Sequence, residues 1–160
     1  MTLGLSLEAF TRLHVILSLV GIVSGFIVLF GLIADRRLEG WTALFLITTI
    51  LTSVTGFGFP FDHLLPSHKI GIVSLVVLAV TVVARYARGL AGPWRAIYVV
   101  GAALALYLNC FVGIVQAFLK IPALTALAPN QTEAPFVIAQ LAVLALFIVL
   151  TVVAARRFRG

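Results

Sequence analysis

Charge is what this sequence has least of. Only 10% of its 160 residues are charged, eleven Lys or Arg and five Asp or Glu, while 62% are hydrophobic. About a quarter charged is usual for a water-soluble domain. Sixteen charged side chains (eleven plus five) cannot cover the surface of a soluble protein this size. The scarcity argues against a soluble enzyme, a nucleic-acid-binding module and a disordered tail. A net charge of +6 does not restore nucleic acid as a partner, because the basic residues stand between apolar blocks rather than in one patch. Cysteine is nearly absent too. Cys110 stands alone, which excludes an intramolecular disulfide and any zinc or iron–sulfur site built on cysteines. Period-two alternation is missing over the lengths that a membrane barrel needs. Phosphate loops, nucleophile elbows and acid–base pairs are missing as well, so a conventional enzyme is not expected.

What is present is long apolar runs, set off by the few charges. Arg12 to Asp35 encloses 22 uncharged residues, and Glu39 to Asp62 encloses 22 more. Lys69 to Arg85 encloses 15, Arg95 to Lys120 encloses 24, and Glu133 to Arg156 encloses 22. A transmembrane helix needs about 20 apolar residues. The short third run still spans if Lys69 and Arg85 snorkel to the interfaces. Lipid leaves the backbone no partner but itself, which selects helices. The expected fold is therefore all-α: one integral membrane domain over 1–160, a bundle of five transmembrane helices at about 7–34, 41–59, 67–87, 94–119 and 135–156. The first apolar block is too long for a cleavable signal and lacks a small-x-small site, so it is expected to stay as the first helix. Ser6 is its predicted N-cap, with Glu8, Thr11 and Arg12 on one face.

Five spans put the termini on opposite sides. Arg36, Arg37, Arg85, Arg88, Arg95, Arg156, Arg157 and Arg159 fall on one side, against Arg12, Lys69 and Lys120 on the other. The positive-inside rule predicts an outside N-terminus and a cytoplasmic C-terminus. Trp41, Trp94, Tyr86 and Tyr98 lie near the same inner interface, where amphipathic rings belong. Short inner loops predict that helices 1–2 and 3–4 form antiparallel hairpins.

In so apolar a chain the polar residues inside the spans carry the information. His14, Ser18, Gly21 and Gly25 recur on one face of helix 1, and the Gly21/Gly25 pair predicts a close helix contact. Six hydroxyl residues on helix 2 predict helix–helix contacts, with hydroxyls bonded back to their own helix. Ser67, after Pro66, is the predicted N-cap of helix 3 with His68 at its start. Asn109, Gly113, Gln116 and Lys120 share a face of helix 4, and Gln140 lies at a similar depth on helix 5. The outer half thus gathers His14, His68, Asn109, Gln116, Gln140 and Lys120, with Asp62 and His63 in a Phe- and Pro-rich segment that reads as a lid. The inner half offers only hydroxyls and rim arginines. Packing accounts for the glycines and interhelical bonding for the amides. An ionisable residue such as His14 within a span is a functional candidate.

Phe118-Leu119-Lys120-Ile121-Pro122-Ala123-Leu124, Leu127-Ala128-Pro129-Asn130-Gln131-Thr132-Glu133-Ala134-Pro135-Phe136 and Leu65-Pro66-Ser67-His68 resemble segments of a family of small bacterial polytopic membrane proteins. The resemblance covers most of the chain and implies a multi-pass protein of a bacterial inner membrane, but it implies no activity. The histidine placement is loosely similar to that of membrane b-type cytochromes.

Three readings follow. The first is a non-catalytic subunit or assembly factor of a larger membrane complex, whose partners are the bilayer, other membrane subunits or a second copy. The second is a redox or ligand-binding protein, in which His14 and His68 ligate the iron of haem b, or the same His and Gln groups hold a quinone. The third is a small-solute or ion transporter, which would need a polar path through the inner half.

Overall fold

The computed structural model describes Gly4, residues 6–60 and 66–160. Every regular element among the described residues is helical. They are α1 (Leu7–Ile33), α2 (Glu39–Gly56), α3 (Pro66–Val82), α4 (Pro93–Lys120), the short α5 (Pro122–Leu127) and α6 (Ala134–Arg157). A π-helical turn, Val83–Ala87, continues α3.

The helix ends follow local chemistry. Ser6 caps α1 as predicted, accepting from Ala9 N–H at 3.2 Å, and Glu8 pairs with Arg12 at 2.6 Å. Helix α3 starts at Pro66, so Ser67 is its second residue rather than its cap. Proline suits the first position because its missing N–H would find no partner there. Helix α2 stops at Gly56, three residues before the expected end. Pro122 opens α5 inside what reads as a loop in the sequence. The Glu133 carboxylate collects N–H bonds from Asn130 and Thr132 just before α6 begins. Desolvation opposes ionisation of that carboxyl, but these bonds and its own backbone N–H together outweigh it and hold it below its ordinary value.

Four helical segments, Leu7–Ile33, Pro66–Ala87, Pro93–Lys120 and Ala134–Arg157, are long and apolar enough to cross a membrane. The α6 segment is the least covered by protein, with Ile138, Leu141, Ile148 and Val149 all exposed. Water would not tolerate so much bare aliphatic surface, whereas lipid favours it. The chain is thus a helical membrane protein with four clear span candidates. Helix α2 falls outside these four; its 18 residues include Glu39 and six hydroxyl side chains. Its 18 residues reach about 27 Å, close to the thickness of a hydrocarbon core.

The hairpins expected from the short loops are present: α1 packs on α2, and α3 on α4. Helix α2 also packs on α3, and α6 on α1 and α4, which closes a ring. Helices α1 and α4 touch across its middle. Gly21 and Gly25 make that approach possible. A Cβ on Gly21 would lie 3.1 Å from Asn109 Nδ2 and from Thr49 Oγ1. One on Gly25 would lie 2.5 Å from Leu106 Cδ1 and 2.9 Å from the Phe45 ring. Gly101 plays the same part between α4 and α3, where Thr81 fills the space of its absent side chain. The core runs from Val28, Leu29 and Leu32 through Phe45 and Leu46 to Leu106, Phe147 and Phe158.

Candidate functional site

The polar groups fall into three tiers. The first is the histidine end, where α1, α3 and α6 begin. His14 Nδ1 lies 2.8 Å from Thr55 Oγ1. Thr55 has one proton and gives it to Leu51 O at 2.7 Å. His14 Nδ1 is therefore the donor, which leaves Nε2 as the basic nitrogen. The imidazole meets Phe59 edge-on at 5.2 Å, and Phe59 packs in turn on Phe10 at 5.0 Å.

His68 is buried, and its ring stacks on Phe57 with centroids 5.4 Å apart. Gly71, one turn on, also faces the Phe57 ring. On that face of α2, Ser53 Oγ lies 3.3 Å from Ser74 Oγ of α3. The two histidines thus engage different faces of the end of α2, His14 through Thr55 and His68 through Phe57. The lid residues Asp62 and His63 lie outside the described residues.

The middle tier is the junction of α1, α2 and α4. Ser18 Oγ donates to Asn109 Oδ1 at 3.2 Å, and Asn109 Nδ2 donates to Ser18 O at 3.4 Å. Thr49 Oγ1, beside Gly21, is buried and makes no hydrogen bond. Thr48, Thr52 and Ser53 behave as expected, bonding to the carbonyl four residues back at 2.7, 2.8 and 3.0 Å, whereas Thr42 donates to Arg37 O, outside the helix, at 3.1 Å. Gln140 donates to Phe111 O at 3.2 Å rather than to Gln116, and its Oε1 is buried without a partner. Gln116 is half-buried on α4.

The third tier is the arginine end, and it departs from the expectation of rim arginines alone. The Arg85 side chain is only 3% exposed. Its guanidinium lies 5.1 Å from the centroid of the fully buried Tyr98 ring and 5.7 Å from that of Tyr86. Nη2 pairs with Glu39 Oε2 at 2.8 Å and donates to Arg37 O at 3.2 Å. Nε and Nη1 are buried without hydrogen bonds. The Tyr98 hydroxyl faces Thr42 and Arg85 but makes no hydrogen bond of normal geometry.

The chain after α6 closes this end. Phe158 is buried against the Tyr98 ring, at 6.1 Å. The Arg159 N–H donates to Asp35 Oδ1 at 2.7 Å, and the Arg159 carbonyl accepts from Arg95.

The sequence did carry a signal for Arg85. Spacings of three and four run from His68 through Gly71, Ser74, Leu78 and Thr81 to Arg85, and all but Gly71 are buried. Reading the charge as the end of a span hid its place on that stripe.

No family model matches the chain, and no curated protein or solved structure is significantly similar to it. Two surface clefts, between α1 and α2 at Leu19, Val23 and Trp41 and between α3 and α4 at Val76, Val80 and Leu104, have almost wholly apolar walls. They offer no chemistry beyond apolar contact.

Proposed function

We propose that the chain is a non-catalytic subunit or assembly factor of a larger complex in a bacterial inner membrane. In this reading α2 completes a fifth span, the N-terminus is outside and the C-terminus is cytoplasmic. The observation that carries the reading is the direction of the span polar groups. Ser18 closes on Asn109, His14 on Thr55 and Gln140 on the Phe111 carbonyl, so that side chains which could line a path or a reaction chamber instead join helix to helix. Such bonds are worth little individually but fix which helices meet. The long bare faces of α3 and α6 leave room for other membrane subunits or a second copy.

Purification in a mild detergent, from cells expressing the tagged chain at native level, tests this reading. Partner subunits are expected to co-elute in fixed ratio and to cross-link through cysteines placed at Ile138 or Ile148. A lone monomer with no cross-linked product counts against it. The spectrum of the same preparation weighs the haem reading. A Soret band that disappears in His14→Ala and His68→Ala would replace the subunit reading with haem binding.

Orientation has its own test. A reporter active only in the cytoplasm is expected to work when fused after Arg159 and to fail after Ser67 or Asn130. The opposite pattern would reverse the orientation. Activity at all three sites would remove the fifth span.

A further inference from the structure

We propose that Arg85 and Tyr98 form a binding site for one phosphate group, which enters by displacing the Glu39 carboxylate. The phosphate is that of an anionic phospholipid headgroup or a free phosphate ion; the chemistry of the site is common to both.

Arg85 has donors that nothing uses. A guanidinium carries five N–H groups, arranged as two paired edges that share Nη2. Glu39 meets Nη2 with one oxygen, Oε2, so it occupies the atom common to both edges. Nε and Nη1 remain buried and without hydrogen bonds. Buried donors left unserved cost free energy, and charged ones cost most. The neighbouring Tyr86 and Tyr98 rings attract the cation, but an aromatic ring does not accept the in-plane N–H groups as an oxygen does. A tetrahedral oxyanion that took Nη2 together with Nε or Nη1 would use a full edge. A third oxygen would remain for the Tyr98 hydroxyl, which also lacks a normal hydrogen bond.

The exposures of the paired groups say which one moves. Arg85 is 3% exposed and Glu39 68% exposed. The carboxylate is the partner free to swing out into water, and an incoming anion must replace it because a buried guanidinium left unpaired is costly. Arg85 cannot follow it. The backbone around the pair is built to hold this arrangement. Arg85 sits within the π-helical turn, a feature often found at functional sites. Leu38, just before Glu39, is held in the left-handed region at φ 42°, which branched side chains avoid. The Arg37 carbonyl accepts from both Thr42 Oγ1 and Arg85 Nη2, which fixes that loop over the guanidinium.

The charge around the site favours an anion. Eight arginines and two carboxylates, Asp35 and Glu39, belong to this end of the bundle. Asp35 is engaged by the Arg159 N–H, so Glu39 is the one carboxylate left to answer Arg85. Clusters of basic residues at the ends of spanning helices suit phospholipid headgroups.

The test is the melting temperature of the full-length protein in neutral detergent, each variant compared with its own unliganded baseline. Phosphatidylglycerol, phosphatidylcholine and millimolar inorganic phosphate are the three additions. Phosphatidylglycerol is expected to raise the melting temperature by roughly 5 °C or more once it is about a hundredfold above its Kd, and phosphatidylcholine to leave it unchanged. A rise with inorganic phosphate as well identifies the free ion as a ligand. A rise with phosphatidylglycerol alone identifies the lipid. Glu39→Gln is expected to tighten binding, because it removes the competing carboxylate. Arg85→Gln should abolish the rise. If that variant does not accumulate, Arg85→Lys should shrink it, because an ammonium lacks the two-donor edge. The proposal is overturned if neither phosphatidylglycerol nor phosphate raises the melting temperature, or if Glu39→Gln weakens the effect. An unchanged rise in Arg85→Lys together with Tyr98→Phe would also overturn it, by assigning the effect to the surface arginines.

Discussion

Gly25→Leu is expected to lose the folded protein altogether, with little accumulating in the membrane and no cooperative melt in detergent. At Gly25 two helices approach α1 at once. A Cβ would lie 2.5 Å from Leu106 Cδ1 on α4 and 2.9 Å from the Phe45 ring on α2, before any further carbon is added. The Leu106 methyl can turn away, but Phe45 is fully buried in the core and has nowhere to go. Overpacking of a tight core costs about 1–3 kcal/mol in ordinary cases. Here α1 would have to part from both neighbours, so the cost is expected to reach about 3 kcal/mol or more. Gly113→Ala is the internal control. Its Cβ would meet Ile22 at 3.7 Å, ordinary contact, and alanine favours a helix by about 1 kcal/mol over glycine. Its melting temperature should equal or exceed that of the parent. Equal melting for Gly25→Leu and Gly113→Ala would mean that the α1 seam does not hold the bundle.

The Gly21/Gly25 seam was legible because glycine four residues apart in an apolar helix has few other uses. The helices were legible for a related reason. Charge is excluded from hydrocarbon, so the gaps between charges measure the runs, and α1, α4 and α6 end within a residue or so of the expected positions. The same rule misjudged two places. At α2, Gly56 and Gly58 interrupt the helix before the apolar run ends, so hydropathy overshot the structure by three residues. At α5, Pro122 and good helix formers make a short helix where apolar counting sees only a gap.

The outer polar cluster shows the limit of depth as a guide. Position along a helix says how deep His14 and His68 lie, but not which way each helix is turned. That rotation is set by α2, which presents Thr55 to one histidine and Phe57 to the other. Thr55 and Phe57 fix the two rings from α2, and the Thr55 bond leaves Nε2 of His14 free. Arg85 fails in the opposite sense. Its charge marked the end of an apolar run, yet its register on the His68 stripe buries it, and a count of positive residues takes no account of register.

Tyr98 separates stability from function at this end. Tyr98→Ala is expected to lower stability by about 3–5 kcal/mol, as loss of a fully buried aromatic side chain commonly does. The ring is the surface on which both the Arg85 guanidinium and the Phe158 side chain rest, at 5.1 and 6.1 Å, so its removal also frees the segment after α6. Tyr98→Phe keeps that surface and removes only the hydroxyl. A buried hydroxyl without a good hydrogen bond contributes nothing to offset its desolvation, so Tyr98→Phe should melt at or slightly above the parent temperature. The same variant should show a smaller rise on adding phosphatidylglycerol, since one oxygen of the phosphate loses its donor. A polar atom that costs stability in the free protein and adds affinity in the bound one is how a site differs from packing. Detergent melts of the two variants, with and without lipid, separate these effects. If Tyr98→Phe melts well below the parent, the hydroxyl is a structural partner of Thr42, and Tyr98 belongs to the core rather than to the site.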